Sequence, residues 1–192
     1  MKSTSAFNTA VIFSILAMSA ALCAQPRPRL NDPDEPPAAA ANAVSAGGNW
    51  TVSNSEDRMT AAKRVRFDLA ADNTRDNDER ARIILFCTDG KLKLSDFRPN
   101  LPLSRPNWPG FWGQPQMRVR VRVDDAHSDH SWNWVNGHFL SMDKGTTREL
   151  LGARLFRVEF GTPEGARIAE FSPSGLDLER VKQACDLTPK KP

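Results

Sequence analysis

The chain has 192 residues, 40% hydrophobic and 26% charged, which allows one ordinary core and excludes both a wholly disordered chain and a multi-span membrane protein. A net charge of +3 is too small to mark nucleic acid as a partner. Fourteen prolines and three cysteines are the informative counts, because of where they fall.

Residues 1–24 read as a secretory signal peptide. Lys2 is followed by an apolar run from Ala10 to Ala24, interrupted only by Ser14 and Ser19, with small residues at its end. The run is shorter than the ~20 residues a membrane helix needs, and no transmembrane segment is expected in the mature chain. Acylation of Cys23 would call for a small residue before it, whereas Leu22 stands there. Cleavage and export is therefore preferred to lipoprotein anchoring. Residues 25–48, rich in proline and alanine, lack the large apolar side chains that would offset their ordering entropy and read as a disordered linker.

Residues 49–187 read as a single β-rich domain, followed by a tail at 188–192. Val65, Phe67 and Leu69 alternate with Arg64, Arg66 and Asp68, and Val119, Val121 and Val123 alternate with Arg118, Arg120 and Arg122. Such period-two patterns predict antiparallel strands with one wet face. Further short strands are expected at Leu155–Phe160 and Ile168–Phe171. Asp89-Gly90, between Ile83–Cys87 and Leu92–Leu94, predicts a hairpin, as does Asn136-Gly137 between Trp132–Val135 and His138–Leu140. A short helix is expected at Thr146–Ala153, capped by Thr146 or Thr147, and a second at Leu176–Cys185 with Leu178, Val181 and Cys185 on its apolar stripe. The fold class is mainly β: an antiparallel β-sandwich or partly closed barrel with a C-terminal α-helix.

After signal removal Cys87 and Cys185 remain, both aimed at a core. In an oxidising compartment they most simply form one disulfide, the alternative being two separate buried thiols.

Chemistry-bearing patterns are sparse. His127, His130 and His138 with Asp124, Asp125 and Asp129 could hold a metal, but an exposed turn explains the same residues, and no metal or cofactor is expected. A metal-dependent hydrolase would have to be built on these histidines. No nucleophile elbow or glycine-rich phosphate loop occurs, so no catalytic residue is named. Arg118, Arg120 and Arg122 share one strand face and could bind an anion, or pair with carboxylates on neighbouring strands. The stretch Arg98–Gln116 carries five prolines with Trp108, Phe111 and Trp112. Those rings could anchor a protein partner, stack on a glycan, or fold back over a sheet edge.

In order, the chain shows a tryptophan opening (Asn49-Trp50-Thr51-Val52), a strand ending at Cys87 before Asp89-Gly90, and Val119-Arg120-Val121-Arg122-Val123-Asp124. Trp132-Asn133-Trp134, Leu150-Leu151, Ala169-Glu170-Phe171 with Gly175-Leu176, and Val181-Lys182-Gln183-Ala184-Cys185 follow. This series, spanning Trp50 to Cys185, resembles the periplasmic proteins associated with type VI secretion systems, of the TagO/VasI kind. The resemblance implies a periplasmic accessory protein of a Gram-negative envelope with no enzymatic activity; an envelope protein is the expected partner, bound through the Trp108–Trp112 loop or the arginine face. It also implies that Cys87 and Cys185 occupy the family's paired positions. The Arg98–Gln116 loop is longer than that pattern has at this point. A cell-envelope glycan or small-ligand binding module is the alternative.

Overall fold

The computed structural model describes residues 43–73, 80–110 and 113–190. The expected signal peptide, Cys23 and most of the expected linker lie outside the described residues, as do Phe111, Trp112 and the last two residues of the tail.

Eleven strands form one antiparallel sheet. A first meander contains β1 (Val44–Gly47), β2 (Trp50–Glu56), β3 (Lys63–Ala70), β4 (Arg82–Thr88) and β5 (Lys91–Arg98). The chain then forms the short β6 (Trp108–Pro109), followed by β7 (Pro115–Val123), β8 (Ala126–Val135) and β9 (Phe139–Ser141). After helix α1 (Lys144–Gly152) come β10 (Phe156–Thr162), β11 (Gly165–Phe171) and helix α2 (Leu178–Cys185). Across the sheet the order is β1-β2-β3-β4-β5-β9-β8-β7-β10-β11, with β6 paired to the start of β7. The sheet bends so that its two halves share a core, without closing into a barrel. Among the described residues no helix is long and apolar enough to cross a membrane.

The expected alternation appears in β7, where Met117, Val119 and Val121 are buried and Arg118, Arg120 and Arg122 are exposed. Both expected hairpin turns are present. Asp89 and Gly90 adopt positive φ (50° and 73°) between paired Thr88 and Lys91, and Asn136 and Gly137 do so (49° and 77°) after β8. Such left-handed pairs match the twist of the strands they join, which is why Asp-Gly and Asn-Gly occur there.

Three boundaries differ from expectation. β1 begins at Val44, inside the stretch expected to be linker; small as they are, Ser45 and Ala46 find partners in β2 and in the Asp177 N–H. Helix α1 starts earlier than expected, with Asp143 as its cap rather than Thr146 or Thr147: the Asp143 carboxylate accepts the Thr146 N–H at 2.8 Å, and both threonines lie buried inside the helix. A carboxylate bonds to the free N–H groups of a first turn more strongly than a hydroxyl. Helix α2 begins two residues later than expected, behind its Asp177 cap. Leu178 is 38% exposed, while Leu176 and Leu187, outside the helix, join Val181 and Cys185 in the core.

Phe97 sits at the centre of the core, with its ring 5.1 Å from Phe160, 6.1 Å from Trp132 and 6.2 Å from Phe171. These contacts join the first meander to the second half of the sheet. Along the backbone the same junction is thin, since β5 and β9 share only two residue pairs, Asp96↔Ser141 and Phe97↔Leu140.

Two features fasten the C-terminal segment to the first meander. The Cys87–Cys185 disulfide ties β4 to α2 across 98 residues, with Cα atoms 5.1 Å apart. Gly47 and Gly48 meet Ser174 and Gly175 backbone to backbone: a Cβ on Gly47 would lie 2.0 Å from the Gly175 oxygen, and one on Gly48 2.2 Å from that of Ser174. All three glycines have positive φ, so both conformation and space demand glycine there. The free edge of β11 is also occupied. Asn73 donates to the Ile168 carbonyl at 2.8 Å and accepts the Glu170 N–H at 2.9 Å, while Asp72 N–H donates to the Glu170 carbonyl at 2.7 Å.

Candidate functional site

The exposed face of β7 and its neighbours carries most of the sequence candidates. Across strands β8-β7-β10 two rows run side by side: His127–Arg122–Arg157 and Asp129–Arg120–Glu159. On β11, Glu170 and Ile168 continue them. A depression of about 610 Å³ opens over these rows.

The three arginines have different settings. Arg120 lies between Glu159 (3.2 Å) and Asp129 (3.7 Å). Arg122 donates from Nε to the Asp124 carbonyl at 2.9 Å and lies 3.6 Å from the fully exposed Asp125. Arg118 places its guanidinium carbon 3.9 Å from the ring centroid of Trp108. The face is thus largely charge-compensated by its own carboxylates. Exposed pairs of this sort contribute about 0–1 kcal/mol each, so they orient side chains more than they hold the fold.

The Arg98–Gln116 loop divides in two. Its first part folds back on the sheet: Leu103 is buried, Leu103 and Ser104 N–H groups donate to the carbonyls of Gly137 and Gly161, and Trp134 Nε1 donates to the Ser104 carbonyl at 3.0 Å. Its second part becomes β6. Asn107 N–H donates to the Gln116 carbonyl at 3.1 Å, and its side-chain oxygen accepts the Arg118 N–H at 2.9 Å. That ladder holds Trp108 outward, 44% exposed, with Arg118 against its ring. A cation over an aromatic face contributes about 0.5–1 kcal/mol at an exposed site, enough to bias the indole toward one orientation. From Trp108 a polar row continues across the sheet through Gln116, Asn133 and Ser141, with Gln116 Nε2 donating to Asn133 Oδ1 at 3.0 Å.

The histidines are not brought together. The expected connection at 124–130 is mostly strand: Asp124-Asp125 alone forms the turn, and β8 starts at Ala126. His127 and His130 are three residues apart on one extended strand and so face opposite sides. His127 flanks Arg122, while exposed His138 sits in the next turn. His130 belongs to the cap of α1. Thr146 Oγ1 donates to Asp143 Oδ2 at 2.6 Å and lies 3.1 Å from His130 Nδ1, while His130 Nε2 lies 2.8 Å from Ser128 Oγ. Partial burial pushes the Asp143 carboxyl up, but the Thr146 hydroxyl and N–H, aided by His130, hold it below the usual range. Asp124 is also occupied, its Oδ1 accepting the N–H groups of Arg154 and Leu155 at 3.0 and 2.9 Å. Among the described residues no group of three or more histidine, cysteine or acidic side chains is placed to hold a metal.

Arg157, Glu159, Gln116 and Asn133 belong to this surface and escaped the sequence reading. Alternation within Leu155–Phe160 signals that Arg157 and Glu159 face outward. That β10 lies beside β7, in register with Arg120 and Arg122, is a long-range pairing no local pattern encodes. Comparison of the chain with models of protein families, with curated proteins and with solved structures found no match.

Proposed function

We propose that this chain is a non-enzymatic exported protein of the cell envelope, an accessory or interaction protein resembling those associated with type VI secretion, which binds an envelope protein through the surface around Trp108. The observation that carries the reading is Trp108 itself: a large ring, 44% exposed, braced by Arg118 and fixed by the β6–β7 ladder. Tryptophan and arginine together are the residue types that dominate binding energy at protein interfaces, and a pre-oriented ring loses little freedom on binding. Export is supported by the Cys87–Cys185 bridge, which suits an oxidising compartment. Affinity capture from periplasmic extract with wild-type and Trp108→Ala baits tests it. The expected result is a protein retained by the wild type and depleted at least tenfold by the variant. Identical retained sets would overturn the reading.

A glycan is the second occupant, favoured by the row Gln116–Asn133–Ser141 beside the indole. Amides and a hydroxyl next to an aromatic ring match the hydroxyls and apolar face of a sugar. Retention on polysaccharide that Trp108→Ala abolishes, with no protein captured, would favour it.

A further inference from the structure

A groove of about 870 Å³ lies where the end of α1, the segment Pro173–Leu176, the start of α2 and the chain at Thr188–Lys190 meet. It shares no lining residue with the depression over β7. Its floor is apolar, built from Leu151, Ala153 and Leu176, and exposed Leu178 extends that surface to the mouth. The rim is cationic: Arg148 and Arg154 come from the end of α1 and the residues just after it, Lys190 comes from the C-terminal segment, and no carboxylate is among the described lining residues. Lys190 is neutralised by Glu149 at 2.6 Å, and Arg148 Nε donates to the Thr188 carbonyl at 3.1 Å. Arg154 makes no ion pair among the described residues, and its backbone is pinned by the Asp124 carboxylate at 3.0 Å. The opposite wall includes Gly175, whose backbone packs against Gly48, so the groove is bounded by fixed main chain.

Size and chemistry together select the occupant. Small-molecule sites run to about 300–1,000 Å³, and this one combines an apolar floor with positive charge at the mouth. A neutral apolar ligand would leave the guanidinium groups of Arg148 and Arg154 unused. A small anion would leave Leu178 exposed to water. We propose that this groove binds a fatty acid, its acyl chain along Leu151, Leu176 and Leu178 and its carboxylate at Arg154 and Arg148. Arginine suits that head group because its planar donors meet a carboxylate two at a time.

Isothermal titration of the disulfide-bonded protein tests the site. Dodecanoate and dodecyltrimethylammonium, matched in chain and opposite in charge, are used below their micelle concentrations. The expected result is saturable one-to-one binding of dodecanoate, at least tenfold tighter than the cation. Arg154→Glu and Leu178→Asp, both at exposed positions, each weaken it at least tenfold while leaving the melting transition in place. Trp108→Ala leaves it unchanged, so this site and the partner surface stand or fall separately. Equal affinity for the two amphiphiles, no saturable dodecanoate binding, or wild-type affinity in folded Arg154→Glu would overturn the proposal.

Discussion

The C-terminal segment is fastened to the first meander at two joints that differ in kind. At one, Cys87 and Cys185 join β4 to α2 by a covalent bond between ordinary, well-packed strand and helix positions. At the other, Gly47, Gly48, Ser174 and Gly175 hold β1 to the segment before α2 by having almost nothing between the two backbones. The disulfide acts largely through the unfolded chain, by shrinking its freedom. The glycine joint acts in the folded state, through space that any side chain would fill. A covalent joint can be removed and leave a native-like surface behind; the contact joint cannot be altered without moving main chain.

The largest expected effect follows from that difference. Gly47→Ala places a Cβ against the Gly175 oxygen at a left-handed φ and should cost on the order of 5 kcal/mol, read as loss of the cooperative urea transition. Replacing both cysteines by alanine opens a 98-residue loop and should cost about 4 kcal/mol while retaining the β-type circular dichroism spectrum. If that double variant lost more than Gly47→Ala, the ranking of the two joints would be reversed.

A third variant probes a region neither joint crosses. Asp96, on the thin β5–β9 junction, is almost fully buried. Burial pushes its carboxyl up from 3.8 to about 6, against the pull of Arg98 at 3.6 Å and of Arg66. The folded protein therefore holds this proton more tightly than the unfolded chain does. Its contribution is most favourable below pH 3.8 and is lost as pH rises toward 6, by about 3 kcal/mol in all. Asp96→Asn should flatten that slope between pH 4 and 6.5 in urea titrations and add independently to loss of the disulfide. An unchanged slope would place the buried proton elsewhere.

The smallest effect is expected at the α1 cap, also outside both joints. Asp143→Ala should lower stability by about 1 kcal/mol at neutral pH, read as a lower melting temperature. Because Asp143 titrates below its ordinary value, this contribution is present above pH 3.8 and fades as pH falls below it, opposite in sense to that of Asp96.

How far each feature could be read from the sequence follows from its range. The arginine–valine alternation of β7 and the Asp89-Gly90 and Asn136-Gly137 turns are local, and each carries its own signal. The cysteine pair is readable because Cys87 and Cys185 each fall on the apolar face of a local pattern, one a strand and the other a helix. The pairing of β10 with β7, which assembles Arg157 and Glu159 with Arg120 and Arg122, depends on which strands meet, and nothing within either strand states it. The glycine joint is hidden for the same reason, since Gly47-Gly48 falls in the expected linker and nothing local pairs it with Gly175. The polar run at 126–131 reads as a connection because the first half of β8 buries neither face, so no alternation marks it as strand.

Asn73 has a consequence for how the protein behaves among copies of itself. A sheet that bends without closing has two borders, and each could recruit a strand from a neighbouring molecule. One border is the four-residue β1; at the other, a single side chain amide mimics a peptide unit and uses up the β11 bonding sites at Ile168 and Glu170. Asp72 and Asn73 together thus act as a stopper on that border of the open sheet, occupying the groups of Ile168 and Glu170 that another strand would need.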